Sequence, residues 1–361
     1  LLCTTFIFAQ INVWLWAKQA GGTSYDTGLS IATDSEGNSY VIGTFYETAA
    51  FGDTELTSSG NNDIFVAKLD SSGNWLWAKQ AGGTGNDCGF SIATDSEGNS
   101  YVTGCFRGTA SFGSTTLTSS GGFDIFVAKL DSGGNWLWAK KAGGTDYDYG
   151  YGIAIDSSGN SYVIGYFPGI ATFGDTELTS SGSTDIFVAK LDSNGNWLWA
   201  KQAGGTSSDT GRSIATDSEG NSYVIGTFYE TAAFGDTELT SSGGFDIFVA
   251  KLDSGGNWLW AKQAGGTSYD FGYSIATDSE GNSYVIGTFY ETAAFGDTEL
   301  TSSGGSDIFV AKLDSAGDWK WAKKAGGTGT DCGFSIATDS EGNSYVTGYF
   351  DSNATFGYTT L

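Results

Sequence analysis

Apolar and polar residues alternate along this chain in short runs, interrupted at close intervals by Gly, Asn and Ser. Between residues 83 and 143 the runs are Phe90 to Asp95, Ser100 to Phe106, Asp124 to Asp131 and Trp136 to Lys140. The first two flank Ser96-Glu97-Gly98-Asn99 and the last two flank Ser132-Gly133-Gly134-Asn135. Each pair therefore reads as a β-hairpin closed by a Gly/Asn turn. Between the hairpins lies a longer excursion, Thr109 to Gly122, in which Thr115-Thr116-Leu117 reads as a short strand. The run Ile125 to Leu130 is mainly apolar on both faces, as sheets stacked face to face require. No long run places apolar residues at i, i+3, i+4 and i+7, so no helix is predicted.

The whole pattern recurs at a constant interval of 61 residues. Its clearest marker is W-x-W-A-K, at Trp14/Trp16, Trp75/Trp77, Trp136/Trp138, Trp197/Trp199, Trp258/Trp260 and Trp319/Trp321, which together hold every tryptophan of the chain. A fixed period of this length decides the architecture before any single residue is considered. Two hairpins per repeat give four antiparallel strands, and four-stranded sheets repeated around an axis are the blades of a β-propeller. The expectation is an all-β propeller of six four-stranded blades. Counted from the Ile92-type strand, the sixth blade ends at Leu361 without its last two strands, so Trp14 to Lys18 is expected to close the ring from the N-terminal side.

The repeats also test their own contacts. The positions equivalent to Cys88 and Cys105 read Thr27/Thr44, Cys88/Cys105, Tyr149/Tyr166, Thr210/Thr227, Phe271/Thr288 and Cys332/Tyr349, and four of the six pairs match in type. Counting outward from the hairpin turn brings the two positions face to face, where matched changes are what cross-strand packing predicts. Cys88 and Cys105 are accordingly a candidate disulfide, with free buried thiols as the alternative.

Composition agrees with many tight turns: 56 Gly stand against one proline, Pro168. Charge narrows the partners, since 41 acidic residues against 16 basic ones leave a net of −25 with no basic stripe. Nucleic acid is excluded on that ground, an anionic membrane surface is disfavoured, and no stretch is long and apolar enough to span a bilayer. Residues 1–10, Leu1 to Gln10, read either as the end of a secretory signal or as a degenerate strand matching Ile64 to Asp70; residues 11–361 form one domain, which the missing initiator leaves open to truncation at both ends.

Within this pattern Asp124 to Asp131 with Gly134-Asn135-Trp136, and Ala93 to Gly104, resemble the bacterial β-propeller repeat called SBBP, from about Trp14 to the end. The resemblance implies a secreted or cell-surface propeller, often part of a longer multidomain protein, with no established reaction and no catalytic residues to carry over. Six copies stand against the seven blades of the family's name, which leaves a fragment or a six-bladed ring.

Chemistry is sparse. Asp26, Asp87, Asp148, Asp209, Asp270 and Asp331 share one place in a G-G-T-x-x-D-x-G loop. They read as a carboxylate ring for calcium or sugar hydroxyls, or as side chains capping backbone N–H groups. The Asp95-type residue of D-S-x-G-N reads as a turn cap, because the D-x-D-x-D-G spacing of a calcium loop is absent. Tryptophans at i and i+2 share one strand face, as inter-blade packing or as sugar platforms. The chain has no His, so histidine-based catalysis is excluded and only carboxylate pairs of the glycosidase kind remain. Symmetry-breaking residues are few: Arg107, Arg212, Pro168, Asp318 and Lys320, with no paired acids among them. The functional expectation is a monomeric, non-enzymatic binding or structural module for protein or glycan, exported by a bacterium, with no cofactor. A carboxylate-dependent carbohydrate-active enzyme is the alternative.

Overall fold

Turn chemistry sets the strand ends. In the computed structural model, which describes residues 15–361, Asp95 Oδ1 accepts the N–H groups of Glu97 at 3.0 Å and Asn99 at 2.8 Å, while Gly98 takes φ +76°. Asp34, Asp156, Asp217, Asp278 and Asp339 cap their turns in the same way. These are the backbone caps expected of the D-S-x-G-N turn.

The strands so bounded pair as four-stranded antiparallel ladders, one per repeat in five repeats. The fourth unit serves as the example: Thr210–Thr216 pairs with Ser222–Phe234, which pairs with Thr237–Leu252, which pairs with Trp258–Gly266. The sixth unit has the hairpin Cys332–Thr338 with Ser344–Tyr349, followed by the short pair Ala354–Phe356 with Thr359–Thr360. The described residues are all β, without a helix; no helix is long and apolar enough to cross a membrane.

The excursion Thr109 to Gly122 is more regular than the sequence suggests. Strands Ser100–Phe112 and Thr115–Leu130 run through it, pairing Thr109 with Thr118 and Phe112 with Thr115 across a two-residue turn at Gly113. Its apolar signal is weak because one face is solvated. The extension also reaches back to the preceding unit, where Gly82 pairs with Ser111 and Gly83 with Ala110. Pro168 interrupts this plan once: the third unit's second strand stops at Phe167, and its extension becomes the separate hairpin Ile170–Phe173 with Thr176–Thr179. Proline has no N–H for the ladder, so the break falls where the donor is missing.

The core lies between units rather than within them. Tyr162, Ile164, Ile186 and Val188 of the third unit pack against Ile214, Val224, Phe228, Phe248 and Ala250 of the fourth. Tryptophans serve this stacking: Trp199 packs edge-on against Tyr162, 6.1 Å between centroids, and donates its indole N–H to Ser254 O in the next unit at 3.2 Å. Trp16, Trp77, Trp138 and Trp260 repeat the clasp on Ser71, Ser132, Ser193 and Ser315. The second tryptophan thus serves contact between units in five of the six pairs.

First strands of successive units lie side by side along the inner edge, from Thr27–Thr33 to Cys332–Thr338. The ladder expected at the ring closure is absent among the described residues. Trp14 and residues 1–10 lie outside the described residues, and the described part of Trp14 to Lys18 forms no strand. Trp16 clasps Ser71 of the first unit, as later tryptophans clasp their own successors, which is the contact a last strand of the preceding unit makes. Among the described residues no ladder joins the first unit to Ser344–Tyr349.

Candidate binding site

Two sets of residues recur along the inner strands, one constant and one variable. The constant set contains the G-G-T-x-x-D carboxylates. Asp87, Asp148, Asp209, Asp270 and Asp331 are fully buried, and Asp26 partly so, an environment that suits backbone capping, the alternative to a carboxylate ring for ligands. Their position follows from backbone demand: Asp209 Oδ2 accepts Gly205 N–H at 2.7 Å and Oδ1 accepts Tyr229 N–H at 3.2 Å, tying loop to second strand. Pro168 replaces that second donor in the third unit, and Asp148 Oδ1 is left without a partner.

A second buried acid, from the start of D-I-F-V-A-K-L-D, accompanies each of the five fully buried ones. Carboxylates of Asp246 and Asp270 converge above Gly265, where an added Cβ would sit 2.7 Å from Asp246 Oδ1 and 3.0 Å from Asp270 Oδ2. Gly265 has φ +145°, so both the conformation and the space exclude a side chain. Burial, reinforced by the neighbouring carboxylate, pushes Asp87 up to about 6 and Asp148, Asp209 and Asp270 up to about 7. Gln80, Gln202 and Gln263 donate to the outer acid in three units. Lys141 and Lys324 stand in the other two as ion pairs of 3.2 and 3.5 Å. Among the described residues no group of three or more His, Cys, Asp or Glu could hold a metal ion.

The variable set is made by a β-bulge. In every unit the ladder between first and second strands skips one residue: Leu29, Phe90, Tyr151, Arg212, Tyr273 and Phe334 have no partner. A bulge re-aims the residue it frees. The preceding glycine makes the close approach possible, for a Cβ on Gly211 would meet Ile164 of the neighbouring unit at 2.4 Å. The freed side chains form a line: Phe90 to Tyr151 at 5.2 Å, Arg212 over the Tyr151 ring at 4.7 Å, and Tyr273 to Phe334 at 6.0 Å. All six are half-buried or exposed. A search for residues kept in all copies passes over this row, because its signal is the reverse: four residue types at one position of the repeat. Arg212 alone stood out in the sequence, as a break in symmetry.

Beside the row, the matched pairs sit in register, Thr27 opposite Thr44, Cys88 opposite Cys105, Tyr149 opposite Tyr166, Thr210 opposite Thr227, Phe271 opposite Thr288 and Cys332 opposite Tyr349. Cys88 and Cys105 are both free thiols, so the contact stands and the bond is not formed in this structure.

Inter-unit stacking of four-stranded antiparallel ladders with a variable inner row defines a repeat protein of the propeller class. A sequence profile of the β-propeller repeat SBBP matches residues 15–44, 76–104, 137–166, 198–227, 259–288 and 320–353, about half of the chain. The chain belongs to this family. It is 26% identical over 439 residues to an uncharacterized WD repeat-containing protein of Acanthamoeba polyphaga mimivirus, covering 96% of this chain and 32% of that protein. It is 27% identical over 351 residues to the regulatory protein FlaEY of Caulobacter vibrioides, covering 88% and 36%. The chain spans about a third of the length of these curated relatives. Among solved structures, the Pan2 WD40 domain of Neurospora crassa aligns with a TM-score of 0.44 at 11% identity, covering 91% of this chain and 81% of that one.

Proposed function

We propose that the chain is a non-enzymatic binding module of an exported or surface protein, in which each four-stranded unit acts as one propeller blade and the bulge row meets a glycan or protein ligand. One observation carries this reading: the bulge position takes four residue types in six copies, and its side chains are freed from the ladder, where a change alters a surface without altering the fold. The acids favour the same reading over carboxylate catalysis, because the paired carboxylates are fully buried and engaged with backbone N–H groups, out of a sugar's reach. Export rests on residues 1–10 as a leader.

Glycan-array binding, run with a hydrolase screen on the same preparation, tests the proposal. Binding by the wild type that is lost in a Tyr151→Ser/Tyr273→Ser variant supports it. Turnover abolished by one carboxylate substitution overturns it.

A further inference from the structure

Resting on the binding reading above, we infer that Arg212 selects the ligand, and that the inner row takes an oligosaccharide carrying a single carboxylate among neutral sugar rings. Arg212 sits at the middle of the row, with Tyr151 and Phe90 on one side and Tyr273 and Phe334 on the other. Its guanidinium carbon lies over the Tyr151 ring, 4.7 Å from the centroid, and among the described residues no carboxylate forms an ion pair with it. Lys68, Lys129, Lys190, Lys251 and Lys312 each pair with an aspartate, whereas Arg212, the one cation of the row, has no such pair among the described residues. A planar fork of N–H donors matches a carboxylate in two parallel hydrogen bonds.

The flanking residues narrow the class. Half-buried and exposed aromatic side chains on both sides of the fork give apolar surface for sugar rings next to the charged one. A peptide adding as a further strand is disfavoured, because the bulge interrupts the run of backbone groups along each inner strand. The overall acidity disfavours a dense polyanion, which the field of the protein would repel, and leaves an isolated carboxylate as the charge the row accommodates.

The test uses the full chain against sialylated and uronylated glycans and their uncapped neutral cores, with dissociation constants measured by calorimetry. The wild type is expected to bind the acidic members and discriminate against their cores. Arg212→Leu should lower affinity for them by about tenfold or more, the scale of a charged hydrogen bond. Leucine occupies the equivalent position at Leu29, and an unchanged thermal transition verifies that the variant folds. Arg212→Lys should restore part of the affinity, keeping the charge without the fork. Equal binding of acidic and neutral glycans, or an Arg212→Leu variant that binds as tightly as the wild type, overturns the inference. If a neutral glycan binds and only Tyr151→Ser or Tyr273→Ser abolishes it, the ligand class falls while the binding row stands. An acidic peptide that binds where no glycan does overturns the inference, and no binding by any probe removes both readings.

Discussion

The first and fourth units share almost the same text, yet they bury it differently. Thr27-Gly28-Leu29-Ser30-Ile31-Ala32-Thr33 and Thr210-Gly211-Arg212-Ser213-Ile214-Ala215-Thr216 differ at one residue, but Ile31 is 64% exposed and Ile214 only 6%. What separates them is the neighbour: Ile214 is covered by Ile164 and Ile186 of the third unit, whereas no described unit precedes the first. The last unit shows the opposite lack, with Val346 41% exposed at its uncovered face. A unit of this repeat cannot bury its own sheet, so stability resides in the interfaces and grows with each copy stacked.

The largest expected effect therefore comes from the interior member of that pair. Ile214→Ala should cost about 2–4 kcal/mol in denaturant unfolding, the range for a buried isoleucine, and Ile31→Ala about 0.5 kcal/mol or less. Equal losses would break the comparison, since they would mean that both residues are covered alike.

Titration of the interior acids comes next. Asp209 and Asp270 have folded values near 7, above the ordinary 3.8, so the folded state holds more protons than the unfolded chain between those limits. Their contribution is fully present below about pH 4 and is lost as the pH rises through 7. Stability at pH 5 should exceed that at pH 8 by an amount on the order of 2 kcal/mol. Gln263→Lys places beside Asp246 the cation that Lys141 already supplies to Asp124, and the pH slope measured by thermal unfolding should shrink. A flat profile for the wild type would show that the paired acids do not hold a proton.

The clasp supplies the smallest effect. Trp199→Phe removes the indole N–H donated to Ser254 O, worth about 1 kcal/mol. Trp321 keeps the edge-on contact with its tyrosine, Tyr284, but among the described residues its indole N–H has no such acceptor, so Trp321→Phe should cost clearly less. Matching losses from the two variants would locate the stabilisation in ring packing rather than in the hydrogen bond.

Much of the fold was legible because local chemistry was repeated. Hairpin turns at Asp95 to Asn99, the pairing of Cys88 with Cys105, and the capping role of the D-S-x-G-N aspartates all follow from residues close in sequence. The long hairpin extension was not, since Thr109 to Gly122 carries little apolar signal and is held partly by Gly82 and Gly83 of the unit before it. The candidate site was legible only at Arg212. Its neighbours in the row are ordinary aromatics, and nothing local announces a bulge: the skip between Gly211 and Ser213 depends on pairing with Ile225 and Gly226 across the hairpin.

By itself, the sequence determined the period, the four strands of each unit, the turns between them and the all-β class, because each depends on backbone preferences and side-chain alternation within about 61 residues. Tertiary structure alone decided which copies of an identical face are buried, that the aspartates of the G-G-T-x-x-D loop turn inward to backbone donors, and that six variable residues line up. Those outcomes depend on the adjoining unit, whose contact with a strand is set by stacking and whose direction is set by the tryptophan clasp.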